Sequence, residues 1–449
     1  MTREPLSPHE NEPMRLRTLL PILIVACGVA AGLLTGGAQA SEPRFRAAAA
    51  VRVITPEPLL PVSGGMGPAH PVTEKRGELT ARVFVVADAD TTVAIVGIDV
   101  LGFPAVLGDK VRALVPRLPP DHLLIGATHT HSAPDCYAFP DGKGGHTGNL
   151  AWMEEVVRRT AAAVNEALDG LRPASLRVAT AEAQGRIAFN YYAPDLYDRR
   201  MGVIQAVGSD GTPIATLVNY AIHPEVLGNK RGILSPDCVG PMCTRIEASG
   251  GGVAVFLNGA QGGMVTADNR DLEAPADPVR GVWKDIGTWE ECERIGHTMA
   301  DEALRIVAGA ETDATPAVAA TSRDVSFPVE SDDLWAVVSL SPLGYPHDDA
   351  TRTITARLAM VDLGKARILT IPGEALPNIG AYLKRKAGDD TFLFGLTNDA
   401  FGYILTKEDF LAFPRYQYVS RVSLGERTGT ILVDNLLEMV RETPRPATK

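Results

Sequence analysis

The stretch Leu123-Leu124-Ile125-Gly126-Ala127-Thr128-His129-Thr130-His131-Ser132-Ala133-Pro134 decides how the rest of the chain is read. Its first five residues are an unbroken apolar run, which predicts a buried strand. Residues two apart in a strand share a face, so His129 and His131 are expected to look the same way. Two imidazoles side by side at a strand end suit one metal ion, or one ligand beside one acid/base group. A chance pair of histidines in a loop explains the motif equally well when it stands alone.

Other apolar runs end in the same manner. Residues 217–221 lead into Ile222-His223-Pro224, and residues 368–371 into Pro372-Gly373-Glu374. Residues 392–396 lead into Asn398-Asp399 and a loop bearing Tyr403. The carboxyl ends of strands line the binding crevice of α/β sheets. Two histidines, a glutamate and a tyrosine delivered in this way make a nitrogen/oxygen zinc site. Taken singly, each has a plain explanation: His223 as a satisfied core histidine, Glu374 as a carboxylate at a helix N-terminus, Tyr403 as a packed aromatic. Their joint appearance favours the site.

The elements around these runs predict a mixed fold. Residues 41–75, rich in proline and glycine, read as an extended leading segment, followed by a hairpin over 82–87 and 93–100. A helix is expected over 149–168, with strands at 176–181, 201–207, 214–221 and 253–257. Thr288-Trp289-Glu290-Glu291 is a capping box opening a helix to Ala308, whose face Trp289, Cys292, Gly296, Met299, Ala303 and Val307 reads as core. A hinge-like loop at 309–316 precedes a hairpin over 356–363 and 367–371, a helix over 376–387, a strand over 392–396 and a closing helix over 430–440. This alternation predicts an α/β (mixed α+β) fold, with mixed β-sheets flanked by helices in a single large domain and a metal site at strand C-terminal ends.

Composition narrows the partners. The 449 residues are 45% hydrophobic and 22% charged, ordinary for a globular protein, and the net charge of −11 argues against nucleic acid or an anionic membrane surface. No sustained heptads, sequence repeats or glycine-rich phosphate loop are present. Arg15 and Arg17 precede an apolar run to Leu34, and Ala38-Gln39-Ala40 gives a small-x-small cleavage site. Residues 1–40 are therefore expected to be a signal peptide cleaved after Ala40, with the mature chain, 41–449, periplasmic or secreted. Met14 is an alternative start. An uncleaved anchor and lipidation at Cys27 are rival readings. In an oxidising compartment Cys136, Cys238, Cys243 and Cys292 are read as disulfides or free thiols rather than metal ligands.

The motif Thr128-His129-Thr130-His131-Ser132-Ala133-Pro134 resembles the signature of the neutral/alkaline (non-lysosomal) ceramidase family. Further landmarks similar to that family follow in order: Met66-Gly67, Ala81-Arg82-Val83-Phe84-Val85, His223, Leu234-Ser235-Pro236-Asp237, Pro372-Gly373-Glu374, and Tyr403-Ile404-Leu405-Thr406-Lys407-Glu408 before Tyr416. The resemblance implies a Zn2+ ion held by His129, His223, Glu374 and Tyr403, with His131 and Tyr416 beside the reacting carbonyl. It implies an amide hydrolase acting on a small-molecule or lipid amide, ceramide by default, that meets a membrane surface through its substrate.

The chain departs from the family at three places. Gln261-Gly262-Gly263-Met264-Val265-Thr266 lacks the family's serine, leaving Thr266 as a partial substitute or water as the only nucleophile. Asn190-Tyr191 stands where the family has Asn-Arg, and the family's C-terminal β-sandwich has no counterpart. These departures keep two alternatives open: hydrolysis of a different amide or ester, and a catalytically silent binding protein on the same scaffold.

Overall fold

Strands β1 (Arg46–Val53), β2 (Thr80–Ala87) and β3 (Thr92–Ile98) run antiparallel in sequence order. Helix α1 (Ala105–Ala113) crosses over, β4 (Leu123–Ala127) pairs parallel with β3, and helix α2 (Leu150–Asp169) follows. The same order recurs in β5 (Arg172–Glu182), β6 (Arg200–Gly208), β7 (Pro213–Tyr220), α3 (Val239–Ala248), β8 (Val253–Asn258) and α4 (Trp289–Ala308). It recurs a third time in β9 (Val318–Pro328), an inserted helix α5 (Asp332–Leu340), β10 (Thr353–Leu363), β11 (Ala366–Thr370), α6 (Pro377–Ala387), β12 (Thr391–Phe394) and α7 (Thr428–Glu442). In each unit the last helix packs on the first two strands and against the crossover helix. This computed structural model describes residues 45–277 and 282–445, so the expected leader, with Met14 and Cys27, lies outside the described residues.

The first two units join through antiparallel pairing of β1 with β5, Arg46 opposite Pro173, into a sheet ordered β8-β7-β6-β5-β1-β2-β3-β4. The third unit forms its own sheet, β9-β10-β11-β12. The two sheets face each other across a core that includes Phe84, Ile204, Leu217, Leu257, Val361, Ile368, Phe392 and Phe394. Helices cover both outer faces, α1 to α4 on the large sheet and α5 to α7 on the small one. The expected mixed sheets flanked by helices are therefore what forms.

Two joints bring the carboxyl ends of the parallel pairs together. The large sheet curls until β8 lies against β3, where a Cβ on Gly97 would stand 2.6 Å from the Phe256 carbonyl. Buried Asn219 donates to the carbonyls of Leu257 (2.9 Å), Asn258 (2.9 Å) and, in the other sheet, Leu393 (2.8 Å). Asn258 Nδ2 in turn donates to Thr128 O at 2.9 Å, tying the end of β8 to the end of β4.

Most expected elements form within a few residues of the predicted bounds, and Thr288 accepts from Glu291 N as the cap of α4. Two segments differ, and four elements are new. Residues 46–53, expected to be an extended leader, are β1 in the middle of the large sheet. Ala47 faces the inter-sheet core while Ala48 and Ala50 face α2, so both faces are apolar and no polar alternation marks the strand. Residues 309–316 are no free hinge, since Thr312 and Asp313 pair with Arg177 and Leu176 of β5. Strand β9 and helices α1, α3 and α5 have no counterpart in the expected elements. Among the described residues the four cysteines, Cys136, Cys238, Cys243 and Cys292, are free and buried. Among the described residues no helix is long and apolar enough to cross a membrane.

Candidate metal centre and active-site cleft

Each candidate ligand leaves the carboxyl end of a parallel pair. His129 follows β4 but is not part of it: the strand stops at Ala127, and His129 takes a left-handed φ of 71°. The histidine pair meets through this turn, not through strand alternation, with ring centroids 4.9 Å apart. The strain of a non-glycine residue at positive φ is held by His129 N donating to Val100 O at 3.0 Å and by Nδ1 against Leu101 O at 2.5 Å. His223 follows β7, and both its backbone N and its Nδ1 reach Val265 O at 2.8 Å. Glu374 follows β11 and pairs with Tyr403, which follows β12, in a short parallel bridge. A Cβ on Gly262 would collide with the Glu374 carbonyl, so this glycine lets the loop after β8 close on the bridge.

A third segment staples the two histidine loops together. Thr130 Oγ1 donates to Ser235 O (2.8 Å), and Ser235 N donates to Ser132 O (2.9 Å). The wholly buried Asp237 carboxylate accepts from Val226 N (3.2 Å), Leu227 N (2.9 Å) and Cys238 N (2.8 Å). It thereby holds the loop that begins at His223, from a backbone with a left-handed φ of 54°.

The donor set calls for a cation. Backbone carbonyls can only accept, so Nδ1 of His129 and of His223 must carry the hydrogen, leaving both Nε2 lone pairs free. Both Nε2 atoms face Glu374 Oε2, at 3.5 Å from His129 and 3.0 Å from His223. Lone pairs at that distance from a carboxylate require a proton or a metal ion between them. Burial alone would lower His223, yet Glu374 outweighs it and holds the imidazole up at about 9. Burial would likewise raise Glu374, but His129 and His223 hold it far below the usual carboxylate range. The donor atoms of His129, His131 and His223 lie within 4.8 Å of one another, a group able to hold a metal.

His131 is different in kind. Burial, reinforced by His129 and His223, pushes it well below the ordinary imidazole range. Its Nε2 is buried without a partner, while its Nδ1 lies 3.4 Å from Glu225 Oε2.

These groups open onto a cleft of about 1100 Å³ that includes His129, His131, Glu374 and Tyr403 in its wall. Much of its lining is apolar, including Leu101, Val106, Phe139, Leu334, Val337 and Ile354. Burial first and the Glu374 charge second raise the Tyr403 phenol well above its ordinary value. Tyr416 and Thr266 line no part of this cleft. Tyr416 packs on Tyr192 and Phe413, and the cleft-lining phenol of that segment is Tyr418, its ring 5.9 Å from Tyr403. Thr266 is half-buried and pairs through its backbone with Phe189 and His223. Val265, in the place of the family serine, is wholly buried in the core, and Met264 is the loop's residue at the site, its Sδ accepting from Tyr403 Oη at 3.6 Å. Sequence reading passed over Glu225 and Tyr418, for which the signals were adjacency to His223-Pro224 and a spacing of two from Tyr416.

No protein-family model and no curated protein matches the chain. Solved structures similar to it include the following two. One is a neutral ceramidase from Pseudomonas aeruginosa, 16% identical, with a TM-score of 0.71 over 91% of this chain and 76% of that one. The other is a ceramidase complexed with C2, 16% identical, with a TM-score of 0.68 over 91% of this chain and 77% of that one. Over 91% of its length this chain therefore has the fold of a neutral ceramidase.

Proposed function

We propose that the chain is an exported, zinc-dependent amidohydrolase that cleaves an N-acyl bond, with a ceramide-type lipid amide as substrate. The observation that carries this reading is the convergence of His129, His131, His223, Glu374 and Tyr403 at the foot of an apolar cleft on the ceramidase fold. His129, His223, Glu374 and Tyr403 would hold the ion, and their nitrogen and oxygen donors suit zinc. When bound, zinc polarises the acyl carbonyl and acidifies a water molecule.

The remaining work falls to the chain's own groups. His131, kept neutral by burial and with Nε2 unpartnered, takes the proton of the attacking water and passes it to the leaving nitrogen. Glu225 orients its ring through Nδ1. The Tyr418 phenol donates to the oxygen that gains charge at the acyl carbon, the role expected of Tyr416 from sequence. The apolar lining holds the acyl chain. Export rests on the leader sequence alone.

Val265 in the core, with no serine brought to the cleft, favours a second reading in which the same centre cleaves another amide or ester. The test is metal analysis of the purified protein, together with turnover of ceramide, a short N-acyl amide and an ester before and after chelation. Stoichiometric zinc and chelator-sensitive cleavage of ceramide are expected. Glu374→Ala should lose metal and activity together. Absence of stoichiometric metal, or full activity after its removal, sinks the metal mechanism, and turnover of the ester alone selects the second reading.

A further inference from the structure

The described residues expose twelve large apolar side chains, and five of them sit on just two loops, 190–197 and 411–418. Tyr191 (57% exposed), Leu196 (68%), Leu411 (61%), Phe413 (61%) and Tyr418 (53%) form this group. The loops are one surface. Rings touch in a chain from Tyr191 to Tyr192 (5.8 Å), Tyr192 to Tyr416 (5.7 Å) and Tyr416 to Phe413 (5.8 Å). Arg415 Nη1 donates across to Tyr192 O at 3.0 Å.

Both loops are held in their exposed conformation. Asn190 Oδ1 accepts from Tyr192 N (2.9 Å), its Nδ2 donates to Leu196 O (2.8 Å), and Leu411 N is fastened to Ser420 Oγ (2.9 Å). Tyr418, two residues from Tyr416, is exposed with this group and also lines the cleft, so the patch borders the catalytic opening.

We infer that this patch docks the enzyme on a zwitterionic phospholipid surface, so that a lipid amide enters the cleft directly from the bilayer. The inference rests on the lipid-amide reading of the cleft. A patch this concentrated marks an interaction site rather than the scattered apolar residues of any surface. Tyrosine rings, apolar in the body and polar at the tip, suit the water–lipid boundary, where one end is dry and the other wet. The two loops carry one acidic residue, Asp195, and one basic residue, Arg415, while the whole chain carries −11, so a neutral headgroup fits and an anionic one is repelled. A second copy of the chain would not explain why the patch borders the cleft.

The experiment compares the full chain with its Leu411→Ser/Phe413→Ser double variant, both residues lying outside the catalytic groups. Binding to phosphatidylcholine vesicles is measured by cosedimentation. kcat/KM is measured for a long-chain N-acyl amide in those vesicles and for a soluble short-chain one. The double variant should lose vesicle affinity by about tenfold for each side chain that inserts. Turnover of the vesicle substrate should fall with it, while the soluble substrate is cleaved as before, and Phe413→Trp should keep both. Equal vesicle binding by the two proteins overturns the inference, as does an equal loss on both substrates. A concentration-dependent dimer that the double variant abolishes, without vesicle binding, assigns the patch to a second copy instead. If neither protein cleaves an amide but their vesicle binding differs, the proposed function fails and the docking surface stands.

Discussion

His131 and His129 lie two residues apart yet meet opposite demands. His129 gives its Nδ1 hydrogen to Leu101 O and turns Nε2 toward Glu374, which suits a ligand; His131 faces Glu225 and keeps Nε2 unpartnered, which suits a proton carrier. His131→Ala should therefore retain the metal and lose about 10²–10⁴-fold in kcat. Metal analysis decides it: an emptied site would make His131 the third imidazole ligand. Asp399, in the wall of the cleft, carries a second residue-scale consequence. Burial lifts it to about 6 against the N–H groups of Ala400 and Ala105, which both donate to Oδ1. An unfolded aspartate titrates near about 4. The folded protein thus binds this proton more tightly, so the group's stabilising contribution is complete below about pH 4 and is lost as pH rises through 6. Asp399→Asn keeps an oxygen for both N–H groups and does not titrate. In metal-free protein, wild-type stability relative to the variant should fall by roughly 2–3 kcal/mol between pH 4 and 7. Parallel pH–stability curves for the two proteins would refute it.

At the scale of elements, the site is a junction of loops held by backbone bonds from a segment that never touches the cleft. Residues 235–237 bond to the His129–His131 turn on one side and to the loop after His223 on the other. Asp237→Ala would strand three buried N–H groups, each at a cost of about 1–3 kcal/mol, and free the loop that carries His223 and Glu225. Metal affinity by chelator competition and thermal unfolding should both decline, with Asp237→Asn recovering part because asparagine tolerates positive φ and keeps one acceptor. Metal affinity unaltered in Asp237→Ala would remove the staple from the account of the site. The same view explains the loop after β8: with Val265 in the core, its carbonyl serves His223, and Thr266 is left without a place in the cleft.

Over the whole molecule, a three-strand meander, crossover helix, parallel strand and closing helix occur three times, and the candidate ligands are the strand ends of those units: His129 from the first, His223 from the second, Glu374 and Tyr403 from the third. The site exists only if the two sheets stay pressed together. Phe392 lies in the middle of that contact, its ring against the backbone of Gly202. Phe392→Ala should cost about 3–5 kcal/mol in denaturant unfolding, and a loss below about 1 kcal/mol would mean that other contacts hold the sheets. Most of the strands, their apolar runs and the polar residues that follow them as candidate ligands were legible in the sequence, because local hydrophobic patterning and a polar residue at its terminus need no partner to be recognised. The threefold recurrence was not, since the units share topology without sharing sequence. Nor was β1, whose alanines are buried on both faces and so carry no alternation. Which tyrosine reaches the cleft, Tyr418 rather than Tyr416, and whether Thr266 does, depended on how separate loops pack. That is a question of distances between segments far apart in the chain, and only the tertiary structure holds those distances.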